Sequence, residues 1–456
     1  MSTHAPAPTT HADPGSVLSA RYRSTTIGMV ALVSLVAFEA MAVAAAMPTV
    51  AQALDGLPLY ALAFGGTLAT SMIGLVLAGR WSDLHGPARP LWYGLACFVI
   101  GLLLAGLAVN MPMLLGGRLV QGLGAGGISV ALYVLVARRY PESLRPKIFA
   151  AFSAGWVVPS LVGPALSGLI VEHVGWRWVF LAVPVLALPA AWLLRPALRT
   201  LTPVAARDRT PATPVLWALG AALGACTLYL GGQQHGLVAA LIVVPALVLL
   251  ATCAWKLLPA GTLCAARGLP SVIALRGVAS AAFFGSEAFL PLLLSRERGL
   301  SPSLAGIALS VGALGWFSGS WYQGHSRHGW TRRQLLRAGT TAQCVGIALT
   351  ALAVWPQLPV PVAIAGWALT GLGMGLLYAS LSVLTLALSP PAQQGINTSA
   401  LQLCEAVMVA SALAVGGSLF AALLAHSAQA AYLANFGLAL LLAVTGTLLV
   451  RRTGAA

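Results

Sequence analysis

An arginine and a set of glycines occupy the middle of an apolar segment: Arg118-Leu119-Val120-Gln121-Gly122-Leu123-Gly124-Ala125-Gly126-Gly127. The apolar segment, 111–136, is long enough to cross the hydrocarbon core of a membrane as a helix. An arginine inside such a span costs about 2.5–3.5 kcal/mol on the insertion scale, so Arg118 should face a partner or a cavity. Small residues let neighbouring helices pack closely. The candidate positions in this stretch are Arg118, Gln121, Gly122, Gly124 and Gly126.

The composition extends the membrane prediction to the whole chain. Hydrophobic residues make up 59% of the 456 residues and charged residues only 8%, whereas an average soluble domain is about 25% charged. So few charges cannot cover a surface in water, which excludes an ordinary soluble enzyme, a disordered chain and a secreted disulfide scaffold. Because apolar runs of about 20 residues recur, the predicted class is an all-α membrane protein.

The apolar runs predict fourteen transmembrane helices, with six before and six after a central pair. A basic linker precedes the central pair. The predicted parts are an N-terminal tail (1–24), a first six-helix bundle (25–194), the linker with two extra helices (195–269), a second six-helix bundle (270–450) and a C-terminal tail (451–456).

The positive charges support this count of spans. The chain has 25 Lys and Arg against 10 Asp and Glu, a net charge of +15. With fourteen spans, twenty basic residues fall in loops on the side of the two termini and three on the opposite side. Such asymmetry predicts that both termini are cytoplasmic, at a plasma (inner) membrane. The basic residues are therefore not expected to bind nucleic acid.

Three local matches indicate an internal duplication. Glu39-Ala40-Met41 matches Glu287-Ala288-Phe289 at an offset of 248 residues. The motifs that begin at Gly79 and Gly319 match at an offset of 240, and those that begin at Gln121 and Thr370 match at 249. Many transporters place a substrate site between two such repeats and open it alternately to each side.

Two further motifs are candidates for a gating loop and a hinge. Gly79, Asp83, Gly86 and Arg89 lie in a predicted loop after the second span, where glycines permit a tight turn and Asp83 can hold one state shut. The fifth span contains prolines and glycines that predict a bend or hinge, with close helix packing as the alternative. Those hinge residues are Gly155, Pro159, Gly163, Pro164 and Gly168.

These motifs, together with Gly175-Trp176-Arg177-Trp178-Val179-Phe180, resemble the signature motifs of the major facilitator superfamily. The Gly163-Pro164 region resembles the antiporter motif of its drug:proton branch, and the 6+2+6 count resembles that branch's fourteen-span subgroup. The resemblance implies alternating access and export driven by proton entry. Two departures stand out: the first span after Glu39 is more apolar than in that subgroup, and Gln323 replaces the loop carboxylate in the second half.

Three carboxylates lie inside predicted spans and are candidates for proton coupling: Glu39, Glu287 and Glu405. A carboxylate in a membrane is costly in its charged form, so it can take up a proton near neutral pH. Glu39 and Arg118 fall at similar depths and can form a pair. Glu39 is the first candidate and Glu287, its repeat mate, the second; Glu405 is either a third proton site or a substrate contact.

Aromatic residues in the spans are candidates for lining an apolar cavity, although core or lipid-facing positions are the alternative. They are Trp156, Phe283, Phe284, Phe289, Trp316 and Tyr378.

The sequence therefore predicts a proton-coupled antiporter that exports hydrophobic or amphipathic small molecules, acting in the bilayer as a monomer. A metabolite, sugar or lipid exporter of the same superfamily is the alternative, and a membrane sensor without transport is a weaker one. No cofactor besides the proton is expected. No metal site or enzymatic activity is expected either, because catalytic or metal-ligand spacings of His, Cys or Asp are not found.

Overall fold

The computed structural model describes residues 16–55, 59–199, 213–231, 234, 236–300, 302–325, 329–424 and 426–454. Within them the chain forms fourteen long helices and no β-strand. The first seven are α1 (Arg23–Ala53), α2 (Tyr60–His85), α3 (Ala88–Gly106), α4 (Met111–Arg139), α5 (Arg145–His173), α6 (Arg177–Trp192) and α7 (Thr213–Gly231). The others are α8 (Gly236–Leu257), α9 (Leu269–Arg296), α10 (Pro302–His325), α11 (Arg332–Ala351), α12 (Val360–Leu388), α13 (Gln394–Leu424) and α14 (Ala428–Leu449).

The fourteen helices correspond to the fourteen predicted spans. Of the described helices, nine are long and apolar enough to cross a membrane by length and composition, and a tenth is counted when the bent α5 is taken as one span. Helices α6 and α7 contain shorter apolar stretches, Arg177–Trp192 and Pro214–Leu228. Several helices continue past the predicted apolar run, because charged residues can extend a helix once it leaves the hydrocarbon region.

Helices α1–α6 and α9–α14 form two bundles with the same packing pattern. In the first bundle α4 packs against α2 and α3, while α1 packs against α5 and α6. In the second bundle α12 packs against α10 and α11, while α9 packs against α13 and α14. Each helix thus has a counterpart eight helices later, as the sequence duplication suggests. The bundles meet along α2 with α13 and along α5 with α10.

Helices α7 and α8 form a hairpin beside one of these two seams. They pack against each other, α7 packs against α2, and both contact α13. An apolar cluster joins residues of all the neighbouring helices, including Met72 of α2, Leu250 of α8, Ile273 of α9 and Leu401 of α13. The extra pair therefore contacts both bundles. A five-residue helix, Arg195–Arg199, lies before the part of the linker (200–212) that falls outside the described residues.

An even number of spans places the start of α1 and the end of α14 at the same side, called the termini side below. The opposite ends of the helices define the distal side.

Candidate functional site

Glu39 of α1 and Arg118 of α4 form an ion pair in the interior of the first bundle. Each residue is only 4% exposed. The Arg118 Nη1 donates hydrogen bonds to Glu39 Oε1 and, at 2.7 Å, to Gln121 Oε1. Its Nε donates to the carbonyl oxygen of Ala63 in α2 at 3.2 Å. One guanidinium therefore ties together α1, α2 and α4, and the structure brings together the two residues that the sequence suggested as a pair.

A second buried ion pair lies in the other bundle. Arg276 of α9 is fully buried, and its Nε donates to Glu405 Oε2 of α13 at 2.8 Å. Ser280 donates to the other carboxylate oxygen at 2.9 Å, and Arg276 Nη1 donates to the Tyr378 carbonyl oxygen at 3.1 Å. Sequence reasoning missed Arg276 as the partner of Glu405. The available signal was its position, since Arg276 and Arg118 are the two arginines inside predicted apolar runs.

The two ion pairs are not repeats of each other. At the offset of 249 residues, Trp367 stands where the first half has Arg118. Trp367 is fully buried in the core of the second bundle. Glu287, the repeat mate of Glu39, consequently has neither a hydrogen bond nor an ion pair among the described residues. It is partly exposed.

Asp83 connects the two bundles at the termini side. It lies on the extension of α2 beyond the apolar span that ends at residue 78. Its two carboxylate oxygens accept hydrogen bonds from the backbone N–H groups of Gly395 (2.6 Å) and Ile396 (2.7 Å), at the start of α13. Burial raises the pKa of Asp83 to about 6, against the effect of these two donors and of Arg138. At neutral pH the carboxylate is therefore ionised and interacts favourably with the N-terminus of α13.

Gly79 and Gly86 belong to the same motif, and each occupies a position where a larger side chain would be unfavourable. A Cβ on Gly79 would lie 2.6 Å from the Cβ of Ser399 and 2.8 Å from the carbonyl oxygen of Gly395, so glycine permits the contact of α2 with α13. Gly86 ends α2 with φ of +82°, a conformation that other residues rarely adopt. Arg89, the last residue of the motif, is exposed.

The second copy of this motif, which begins at Gly319, has a different hydrogen-bonding pattern. Gln323 donates to the carbonyl oxygen of Leu376 at 2.8 Å and accepts from Arg332 Nη1 at 3.0 Å. Both partners belong to the second bundle. Thus Asp83 joins the two bundles, whereas Gln323 stabilises its own.

Further contacts close the termini side between the bundles. Ser129 of α4 donates to Gln402 of α13, and Ser153 of α5 donates to Ser320 of α10 at 3.0 Å. The distal side differs: a Cβ on Gly168 of α5 or on Gly306 of α10 would meet nothing within 4 Å. The described structure is therefore closed at the termini side by contacts between the bundles, whereas Gly168 of α5 and Gly306 of α10 have open space beside them.

The glycines after Arg118 hold α4 against its neighbours in the first bundle. A Cβ on Gly122 or Gly126 would lie 2.2 Å from a carbonyl oxygen of α2, and one on Gly124 would lie 2.3 Å from the backbone nitrogen of Phe98 in α3. These contacts fix the helix that carries Arg118.

Helix α5 bends by 45° between Arg145–Gly163 and Leu166–His173, at the glycine-proline step of the predicted hinge. Gly155 and Gly163 face α1, where a Cβ would approach Ser34 Oγ to 3.1 Å and Met41 Cβ to 3.2 Å. Pro159 is buried, and the Pro164 side chain lies outside the described part of the structure. The segment therefore combines close packing with a bend.

The predicted cavity aromatics fall into separate places. Phe283, Phe284, Trp316 and Tyr378 form a connected group, with ring centroids 5.1–6.1 Å apart in successive contacts. Phe283 is only 2% exposed and belongs to the core. Phe289 packs instead against Phe420, 4.9 Å away. Trp156 is 44% exposed on α5 and does not join this group.

Comparison with known proteins now places the chain in a family. The family model described as Major Facilitator Superfamily matches residues 29–404. The chain belongs to the Major Facilitator Superfamily. Proteins of this superfamily are transporters of small molecules in membranes, which agrees with the multi-pass helical architecture.

Several curated members of the superfamily are similar in sequence. A "Probable multidrug-efflux transporter" of Mycobacterium tuberculosis (strain H37Rv) is 25% identical over 421 residues, covering 88% of each chain. "Multidrug resistance protein 3" of Bacillus subtilis is 28% identical over 184 residues, or 40% of this chain and 36% of the relative. This chain thus covers about a third of the length of the Bacillus protein, and about a quarter of two similar fungal transporters.

Solved structures of superfamily members share the fold. The human organic anion transporter MFSD10 (TETRAN) matches with a TM-score of 0.69 and 16% identity, covering 94% of this chain and 99% of that one. The proton:xylose symporter XylE matches with a TM-score of 0.67 and 15% identity, covering 95% and 96%. At these identities the similarity establishes the fold.

Proposed function

We propose that this member of the superfamily is a proton-coupled antiporter that exports hydrophobic or amphipathic small molecules by alternating access. The observation that carries the proposal is the buried Glu39–Arg118 ion pair in the first bundle. The similarity to proteins named as multidrug-efflux transporters supports the export of such compounds. We also propose that the termini side faces the cytoplasm, that the membrane is the plasma (inner) membrane, and that the monomer is the functional unit.

Protonation of Glu39 changes the ion pair, because the Arg118 charge is neutralised only while Glu39 carries its negative charge. Two buried charges are tolerated when they are paired, but an unpaired buried charge is strongly destabilising. A proton on Glu39 removes its negative charge and weakens its attraction for the Arg118 guanidinium. Arg118 then retains Gln121 and the Ala63 carbonyl oxygen as uncharged acceptors. The protonated state therefore favours a different arrangement of α1, α2 and α4.

Export follows if Glu39 gains its proton from the distal side and releases it to the cytoplasm. The structure is closed at the termini side by the Asp83 contacts with α13. In this conformation, substrate leaves towards the distal side and Glu39 takes up a proton. In the opposite conformation, which is open at the termini side, Glu39 releases the proton to the cytoplasm and substrate binds. Each proton that enters down a potential of 100 mV supplies about 2.3 kcal/mol, before any contribution from the pH gradient.

The test is transport by purified protein in liposomes with an imposed pH gradient. We expect Glu39→Gln to abolish pH-driven substrate movement while retaining substrate binding and a folded, monodisperse protein. Glu172→Gln is the matched control, because Glu172 is exposed at the distal end of α5. Transport by Glu39→Gln at the wild-type rate, with the same dependence on the pH gradient, would remove Glu39 from the proton pathway.

A further inference from the structure

A basic and aromatic pocket lies on the first bundle at the point where α6 ends, at the termini side. It has a volume of about 740 Å³. Its lining includes Trp92 near the start of α3, Trp192 at the end of α6, and Arg195 and Arg199 of the short helix that follows. The apolar run of the sixth span ends at residue 194. The two arginines therefore follow directly after the hydrocarbon region, at the level of the lipid headgroups.

The two arginines of this pocket have no anionic partner within the described part of the chain. Arg195 and Arg199 take part there in neither an ion pair nor a side-chain hydrogen bond. Asp83 and Glu142, the described acidic residues of the termini side, bind the start of α13 and Arg145 instead. A guanidinium group matches the paired oxygen atoms of a phosphate. The pocket thus presents two cationic groups suited to a phosphate.

The tryptophans place this pocket at the boundary between lipid and water. Trp192 is 63% exposed and Trp92 is 37% exposed. Tryptophan is enriched at membrane–water interfaces, because its ring is apolar and its N–H group is polar. The Arg195 guanidinium lies over the Trp192 ring, 4.5 Å from the ring centroid. This contact holds the Arg195 charge beside an exposed apolar surface.

An apolar groove continues from the pocket along α6 towards the middle of the membrane. The groove lies between α1 and α6, has a volume of about 680 Å³ and shares Trp192 with the pocket. Its other lining residues include Leu35 of α1 and Leu186 and Leu193 of α6. Leu186 precedes Trp192 by six residues, about 9 Å along the helix axis. The groove therefore offers apolar surface to a hydrocarbon chain directly beside the two arginines.

We propose that Arg195, Arg199 and Trp192 form a binding site for an anionic phospholipid. The lipid phosphate binds the two arginines, and an acyl chain lies in the groove between α1 and α6. Basic pockets between transmembrane helices attract anionic headgroups. A soluble phosphate compound would use only the arginines, whereas a lipid also uses the adjoining groove. The site shares no residue with the Glu39–Arg118 pair, so it does not depend on proton coupling.

Native mass spectrometry of the purified full chain tests the site by titration with two lipids that have the same acyl chains. Dioleoylphosphatidylglycerol is anionic and dioleoylphosphatidylcholine has no net charge. Each basic residue near an anionic lipid contributes about fivefold in affinity, so we expect wild type to prefer phosphatidylglycerol by about 25-fold. Arg199→Gln should lower this preference about fivefold. Arg195→Gln with Arg199→Gln should abolish it and leave the affinity for phosphatidylcholine unchanged.

Two further variants separate the charge of the site from other effects. Arg195→Lys with Arg199→Lys keeps both charges and should retain most of the preference. Arg333→Gln with Arg337→Gln is the matched control. It removes two charges from exposed termini-side positions on α11, the counterpart of α3 in the second bundle, and should retain the wild-type preference. Thermal melting verifies that each variant is folded.

Three results in the lipid titrations would refute the site. They are equal binding of the two lipids by wild type, an undiminished preference in Arg195→Gln with Arg199→Gln, and an equal loss of preference in the α11 control. Displacement of phosphatidylglycerol by an equal concentration of glycerol 3-phosphate would also refute it, because that result would identify a site for soluble phosphates.

Discussion

Arg118 binds acceptors from three helices, so its replacement affects more than one charge. Removing either member of the Glu39–Arg118 pair leaves a buried charge without a partner, which costs about 3–5 kcal/mol where such pairs have been broken. We expect Glu39→Gln and Arg118→Gln each to lower the thermal stability of the purified protein. The double variant should be less destabilised than the sum of the two, with a coupling energy of about 1–3 kcal/mol.

Unfolding of all four proteins of this double-mutant cycle in one detergent measures the coupling. The pair of exposed-site variants Glu172→Gln and Arg89→Gln provides the comparison, and their effects should add. Strictly additive effects of Glu39→Gln and Arg118→Gln would show that the two side chains do not interact in the membrane protein as purified.

A substitution at Gly79 tests whether closure at the termini side requires the close contact of α2 with α13. We expect Gly79→Val to separate α2 from α13, because the new side chain would overlap Ser399 and the Gly395 carbonyl oxygen. Transport should fall at least tenfold, and a cysteine placed at Gln402 should react faster with a soluble maleimide added from the termini side. Gly116→Val is the matched control, since a Cβ there meets nothing within 4 Å. Equal transport by the two variants would contradict the role of Gly79 in closure.

At the scale of helices, the two copies of the loop motif allow a contact between the bundles, made by Asp83, to be compared with a contact within one bundle, made by Gln323. Asp83 binds the start of α13 in the other bundle, whereas Gln323 binds Leu376 in its own. Charge-assisted hydrogen bonds and the helix dipole both favour the Asp83 contact. We expect Asp83→Asn to shift the population away from termini-side closure by about tenfold, equivalent to about 1.4 kcal/mol.

Distances between spin labels on the termini-side ends of α2 and α13 report this shift. Gln323→Ala should leave the distance distribution unchanged, although it should lower the thermal stability of the protein. A distribution altered equally by Gln323→Ala and Asp83→Asn would mean that closure does not depend on the contact between bundles.

At the scale of the whole molecule, alternating access requires that the termini-side contacts break during each cycle. Ser153 and Ser320 lie with their hydroxyl oxygens 3.0 Å apart on α5 and α10. In a background without the six native cysteines, we expect Ser153→Cys with Ser320→Cys to form a disulfide on oxidation. The bond should stop transport, and reduction should restore it.

Each single cysteine variant is the control, and neither should respond to oxidant. The equivalent pair Gly168→Cys with Gly306→Cys should crosslink slowly, because both positions face open space on the distal side. Full transport by the disulfide-linked form of the Ser153→Cys, Ser320→Cys variant would be incompatible with alternating access, which requires this contact to break.

The transmembrane spans were predictable because they depend on the hydrophobicity and charge of neighbouring residues along the chain. The helices required long apolar segments bounded by basic loops, and both properties can be read along the chain. The start and end of α12 agree with the predicted span, 360–388. The suggested pairing of Glu39 with Arg118 followed from the depth of each residue in its span, and the structure brings them together.

Other features depend on which helices become neighbours, and the linear order of residues does not contain that information. Arg276 and Glu405 are 129 residues apart, and their contact exists because α9 packs against α13. The contact of Asp83 with α13 likewise requires the two bundles to meet at the termini side. Apolar runs and charges therefore specify the spans and their alternation across the bilayer. Packing between distant helices specifies which charges within the spans are neutralised and which, like Glu287, have no ion pair or hydrogen bond within the described part of the chain.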